Sequence, residues 1–195
     1  KDWDCDIVLD RSVWGLQDNL EMLKKYAPNE IKFVVLYRDL QEVIASFIHW
    51  SENNKPNFLD NSTDGTYESK AAHMMRTNSE IWRDYWSIVG ARDSGFPCFF
   101  IEYKDLVTHT PKVISSLYEF LEIDSYDHDY EKLNLFNVDG IKYDDTFVGS
   151  NLHTIRTNGI QFNKHYLDKY LSKDILNICR TLNFWKDGSL RKTWC

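Results

Sequence analysis

The stretch IKFVVLY, Ile31 to Tyr37, constrains this chain more than any other. It is a β-branched and aromatic run without the alternation of a strand that has one wet face. It therefore predicts a strand of a parallel sheet, covered on both sides. The run stops at Arg38-Asp39, and LQEVIASFIHW continues with helical periodicity.

A parallel strand needs partners delivered by crossover connections, and candidates lie on either side. Asp6 to Asp10 (DIVLD) is a short apolar run bounded by acids and reads as a buried strand. After it, GLQDNLEMLKKYAP sets Leu16, Leu20 and Leu23 on one helical face, and Pro28 closes that helix. Downstream, SENNKPNFLDNSTDGT (Ser51 to Thr66) is polar and rich in turn formers, so it reads as a surface loop. A long helical stretch runs from Tyr67 to about Arg92. PCFFIEY (Pro97 to Tyr103) is a further buried strand, and Pro111 opens the helix PKVISSLYEFLEI with Thr110 as its N-cap. Asp124 to Gly159 is irregular and acidic, and a last helix spans roughly Lys164 to Leu182. Strands alternating with helices predict an α/β fold, a three-layer sandwich around a central, mainly parallel sheet. No repeat, low-complexity tract or linker divides residues 1–195, which read as a single domain.

Composition narrows the function. With 195 residues, 43% hydrophobic and 27% charged, the chain is globular rather than disordered. A net charge of −7 argues against a general nucleic-acid binder but leaves room for one local anion pocket. No run approaches the roughly 18 apolar residues of a membrane span, and no secretory signal opens the chain, so a soluble, cytoplasmic protein is expected. The four cysteines, Cys5, Cys98, Cys179 and Cys195, form no CxxC pair and read as reduced core thiols; the six histidines are scattered, and no metal is expected. None of the eight glycines sits in a GxxxxGK[ST] loop.

In doubly wound sheets ligands bind beyond the carboxyl ends of the strands. Three predicted strands end in polar groups there: Asp10-Arg11-Ser12, Arg38-Asp39 and Tyr103-Lys104-Asp105. Arg38 offers a planar fork of donors to a phosphate, and Ser46, about two helical turns on, adds a hydroxyl. The plainer reading pairs Arg38 with Asp39 or Glu42 on the surface and leaves Ser46 as ordinary helix packing. Trp50, Trp82, Tyr85 and Trp86 either line a cleft for an apolar or sugar acceptor or pack in the core, and their helical spacing favours the core.

Taken together, YRDLQEVIASFIHW resembles the 3′-phosphate-binding segment of the PAPS-dependent sulfotransferases, roughly R-N-P-x-D-x-x-x-S-x-x-H-[FW]. Arg38, Ser46, His49 and Trp50 stand at the family spacings, Leu40 replaces the usual proline and Glu42 the usual acid. EIWRDYWSI is similar to the family's tryptophan-rich helix. CFFIEYKDLVTHTPKVISSLYEFLEI is similar to its strand, Y-E-D-L, proline and F-L-G-ending helix, with Lys104 in place of the acid and Glu122 in place of glycine.

The resemblance implies a P-loop nucleotide-kinase-like fold and transfer of a sulfuryl group from PAPS to a hydroxyl or amine of a small-molecule or glycan acceptor, leaving PAP. Arg38 and Ser46 would hold the 3′-phosphate, Tyr103 would lie against adenine, and IRTNG, faintly like the family's R-K-G loop, adds Arg156 and Gly159. No metal is required by this scheme. The family's P-K-[ST]-G-T-[ST] phosphosulfate loop is not in the chain; either the sequence starts after it, with DIVLD as the second strand, or the domain has lost transfer chemistry. LDRSVW stands where one branch carries a catalytic histidine and is closer to the D-K-[ST]-P stretch of glycan-modifying branches. Arg11 would then stand in for the lysine that stabilises charge on the sulfuryl group, and Asp10 would accept the acceptor's proton. His49, one turn beyond Ser46, is a further candidate base. Two other functions stay open: a non-catalytic PAP-binding or interaction module, and a P-loop kinase that prefers ATP.

Overall fold

The computed structural model describes residues 7–27, 31–131, 137–138, 141–142, 167–187 and 190. In chain order these form α1 (Gln17–Tyr26), β1 (Phe33–Tyr37), α2 (Leu40–Asn53), α3 (Phe58–Ser62), α4 (Tyr67–Met74), α5 (Glu80–Asp93), β2 (Cys98–Glu102), α6 (Tyr103–Thr108), α7 (Thr110–Leu121), the two-residue strands β3 (Asn137–Val138) and β4 (Ile141–Lys142), α8 (Leu167–Tyr170) and α9 (Lys173–Leu182). A 3₁₀ turn, Phe184–Lys186, follows.

β1 and β2 pair in parallel, from Phe33 beside Cys98 to Tyr37 beside Glu102. On one face Phe33, Val35 and Tyr37 are buried. Leu40, Ile44, Ala45 and Ile48 of α2, Leu59 of α3, Ala71 and Met74 of α4, and Leu176 and Cys179 of α9 join Tyr37 in the main core. On the other face Phe99 and Ile101 of β2 are covered by Leu106, Val113, Leu117 and Phe120 of α6 and α7. Val34 and Leu36 of β1 stay 40% and 52% exposed on that second face. β1 thus has the double cover its composition predicts on one side only.

The predicted strand DIVLD is a correction. Residues 7–10 form no strand, and Ile7, Val8 and Leu9 are 58–90% exposed. An apolar run becomes a strand only when a neighbouring edge takes its backbone hydrogen bonds, and among the described residues none does. The described parallel sheet therefore has two strands, β1 and β2.

Three helices also differ from expectation. The stretch from Tyr67 divides into α4 and α5, because the Ser79 hydroxyl accepts the Trp82 N–H at 3.1 Å and donates to the Met74 carbonyl at 2.7 Å. The last helix divides likewise, with Ser172 capping α9. Thr110 is the first residue of α7 rather than its cap, and its hydroxyl donates back to Leu106 O at 2.6 Å. The predicted loop after Ser51 holds α3, capped by Asn57, whose side chain accepts from Leu59 and Asp60 N–H.

At the end of α7, Glu122 takes the left-handed conformation, φ 60°, that usually selects glycine. Its ion pair with Lys32, at 2.8 Å, ties that helix end to the start of β1. Two glycines let the chain entering α1 lie against α5. A Cβ on Gly15 would stand 1.8 Å from Ser87 O, and one on Gly90 would stand 1.9 Å from Gly15 O. Cys98 and Cys179 are free thiols, and burial pushes both up, Cys179 to about 11. Cys5 and Cys195 lie outside the described residues.

Candidate functional site

Because Tyr37 and Glu102 end level in the sheet, the next residues, Arg38 and Tyr103, leave it side by side. The Arg38 guanidinium carbon lies 4.6 Å from the Tyr103 ring centre, a cation–π stack. Arg38 Nε donates to Glu42 Oε2 at 3.0 Å. The Arg38 and Glu42 side chains are 17% and 32% exposed, so the cation is half sheltered from water. A guanidinium held flat in this way presents paired N–H donors to a tetrahedral anion.

Helical spacing extends the site along α2. Glu42, Ser46 and His49 follow Arg38 at intervals of four, four and three residues, which sets them in one stripe. Ser46 is partly buried, and its hydroxyl has no hydrogen bond to any described side chain or backbone group. A donor left in that state is available to a ligand.

The start of α2 is fixed from the far end of the chain. Asp39 makes no side-chain cap; instead Asn183 Oδ1 accepts the buried Leu40 N–H at 3.1 Å, and its Nδ2 donates to Gln41 Oε1 at 2.8 Å. Asp39 accepts from Trp185 Nε1 at 3.0 Å and pairs with Lys186 at 3.2 Å, and Lys186 also reaches Glu102 at 3.4 Å. These acids leave a mark on Tyr37, whose hydroxyl is pushed well above its ordinary range by burial and then by Glu102, Asp105 and Asp39.

The far end of the stripe holds a second polar cluster. His49 Nδ1 lies 2.8 Å from Tyr170 Oη, and Tyr170 donates to Glu52 Oε2 at 2.7 Å. Lys169 Nζ donates to Glu52 at 2.9 and 3.1 Å and to Tyr170 Oη at 3.0 Å. Tyr67 of α4 donates a further bond to Glu52. The Tyr67 hydroxyl, followed by Tyr170 and Lys169, holds the Glu52 carboxyl down at about 2.

The residues read from the sequence thus fall into three groups. Arg38, Ser46, Tyr103 and His49 lie at the strand ends and along one stripe of α2. Asp10 and Arg11 do not join them: both are exposed, Asp10 accepts from Trp14 Nε1 at 3.3 Å, and Arg11 lies within electrostatic reach of Asp84 on α5. Arg156 and Gly159 lie outside the described residues. Of the aromatic residues, Tyr85 is buried and Trp86 is 49% exposed, with Trp82 stacked on Tyr85 at 5.3 Å. Sequence reasoning missed Glu52, Tyr67, Lys169, Tyr170, Asn183 and Lys186.

The family model described as "Sulfotransferase domain" matches residues 19–180, a span that holds β1, α2, β2 and the whole Arg38 stripe. The chain belongs to the sulfotransferase domain family. No curated protein and no solved structure matches it. Membership makes the fold the P-loop-like α/β fold and the activity class that of a sulfotransferase-type transferase. In this sulfotransferase domain, no described helix is long and apolar enough to cross a membrane. Among the described residues, no group of three or more His, Cys, Asp or Glu is arranged to hold a metal ion.

Proposed function

We propose that this sulfotransferase moves a sulfuryl group from PAPS to a hydroxyl or amine of a small-molecule or glycan acceptor. The observation that carries the reading is Arg38, stacked 4.6 Å over Tyr103 at the level strand ends, with Ser46 on the same stripe. In this role Arg38 and Ser46 hold the 3′-phosphate and Tyr103 meets the adenine. The two-stranded parallel sheet is then the described part of a three-layer sandwich.

The chemistry asks for positioning and charge stabilisation more than covalent catalysis. The acceptor oxygen forms a bond to sulfur, the bond from sulfur to the 5′-phosphate oxygen breaks, and its electron pair leaves with PAP. One proton is released from the acceptor hydroxyl. Of the three candidate residues, His49 shares the stripe with Arg38 and Ser46, so it is the proposed proton acceptor. Asp10 and Arg11 drop behind it, because their contacts lie with Trp14 and near Asp84.

The test is transfer of ³⁵S from labelled PAPS, using the full chain with a panel of phenols, amines and oligosaccharides. PAP formed in step with a labelled ester or sulfamate supports the reading, and His49→Gln lowers that rate about 10²-fold or more. PAP binding with no transfer to any acceptor would favour the non-catalytic nucleotide-binding module. Transfer unchanged in His49→Gln would remove His49 from the scheme.

A further inference from the structure

We infer that Tyr170 and Glu52 are positioning residues, a relay that fixes the His49 imidazole with its proton on Nδ1 and so makes Nε2 the basic nitrogen. This rests on the reading of His49 as proton acceptor, and it assigns roles to two residues that the sequence reading did not single out.

Counting protons settles the direction of each bond. Tyr170 has one hydroxyl proton and three polar neighbours: Glu52 Oε2 at 2.7 Å, Lys169 Nζ at 3.0 Å and His49 Nδ1 at 2.8 Å. An ammonium only donates and an ionised carboxylate only accepts. The tyrosine proton therefore goes to Glu52, and the tyrosine oxygen accepts from Lys169 and from His49. His49 fills that place only with a proton on Nδ1. In its neutral form the lone pair is then on Nε2.

Among the described residues, donors from α4 and α8 keep Glu52 in its accepting state. Tyr67 from α4 and Lys169 and Tyr170 from α8 all direct hydrogens at it, and His49 Nδ1 on α2 lies 3.8 Å away. The Glu52 side chain is 27% exposed, whereas that of His49 is 49% exposed. The orienting end of the relay is the more sheltered of the two. A histidine that donates one ring N–H to a fixed acceptor is thereby given a set tautomer and ring angle, and here Tyr170, itself held by Glu52, is that acceptor.

The deciding experiment is a two-bond ¹H–¹⁵N correlation spectrum of the full chain, taken at a pH where His49 is neutral, with and without PAP. The relay gives a protonated Nδ1 and an unprotonated Nε2 for His49. Tyr170→Phe removes the acceptor, and the ring shifts toward the Nε2-protonated form that free imidazole prefers. Tyr170→Phe leaves PAP affinity within about twofold, since the 3′-phosphate residues are untouched. A wild-type His49 protonated on Nε2 would overturn the relay, and this reading needs no variant to fold. A folded Tyr170→Phe variant that kept the Nδ1 proton would overturn it too. Failure of the sulfotransferase reading shows separately, as loss of PAP binding by the wild-type chain with the tautomer unaffected.

Discussion

Replacing Arg38 with alanine tests the site where its geometry is clearest. The variant removes the guanidinium stacked on Tyr103 and the bond to Glu42. Truncating a buried charge-assisted contact to a ligand costs about 2–5 kcal/mol. Arg38 is 17% exposed and already shares its charge with Glu42, itself 32% exposed, which puts the expected loss in the lower half of that range. That is about 2–3 kcal/mol, or roughly 30- to 150-fold in PAP affinity. Arg38→Lys keeps a point charge but loses the fork and the flat stack, so it recovers only part of the affinity. The assay is calorimetric titration of each variant with PAP, and with AMP as the ligand that lacks the 3′-phosphate. The penalty should be large for PAP and small for AMP. The melting temperature should stay close to the parent's, because an ion pair of this exposure contributes no more than about 1 kcal/mol to folding. An equal loss for PAP and AMP would refute the assignment of Arg38 to the 3′-phosphate.

Three further perturbations have defined outcomes. Glu42→Gln removes a negative charge beside the proposed phosphate position, and PAP should bind about fivefold more tightly at low salt, an advantage that shrinks as salt is raised. Gly90→Ala puts a methyl group against the Gly15 carbonyl oxygen, where only 1.9 Å is available. The overlap should cost about 3 kcal/mol or more and appear as a lower melting temperature, with Gly65→Ala, which meets no neighbour, as the positive-φ control. Glu52 titrates at about 2 in the folded chain against an ordinary 4.5, so it stabilises the fold above pH 4.5 and loses that contribution as pH falls toward 2. Urea unfolding across that window should show the decline, and Glu52→Gln should make the slope shallower.

What was legible in the sequence was local. β1, α2 and β2 announce themselves by runs and periodicity, and Arg38, Ser46 and Tyr103 stand at predicted element ends or on a predicted face. Their meeting follows from one further fact, the register that levels Tyr37 with Glu102. DIVLD misled because apolar composition reports strand propensity and not the presence of a pairing edge. Thr110 misled because a hydroxyl before proline suits a cap and equally bonds back to the preceding turn, as it does to Leu106. The break at Ser79 had a signal in the polar run Arg76-Thr77-Asn78-Ser79 that precedes the aromatic helix. The relay had none: Glu52 and Tyr170 are 118 residues apart, and Asn183 reaches Leu40 across 143. No periodicity connects positions so distant.

The central claim is recognition of a 3′-phosphorylated adenine nucleotide at Arg38. The most direct measurement is calorimetric titration of the 195-residue chain with PAP, AMP and ATP under one set of conditions. The account predicts that PAP binds more tightly than AMP or ATP by at least tenfold, with the preference lost in Arg38→Ala. ATP binding as tightly as PAP, or a preference for PAP that survives loss of Arg38, would contradict it.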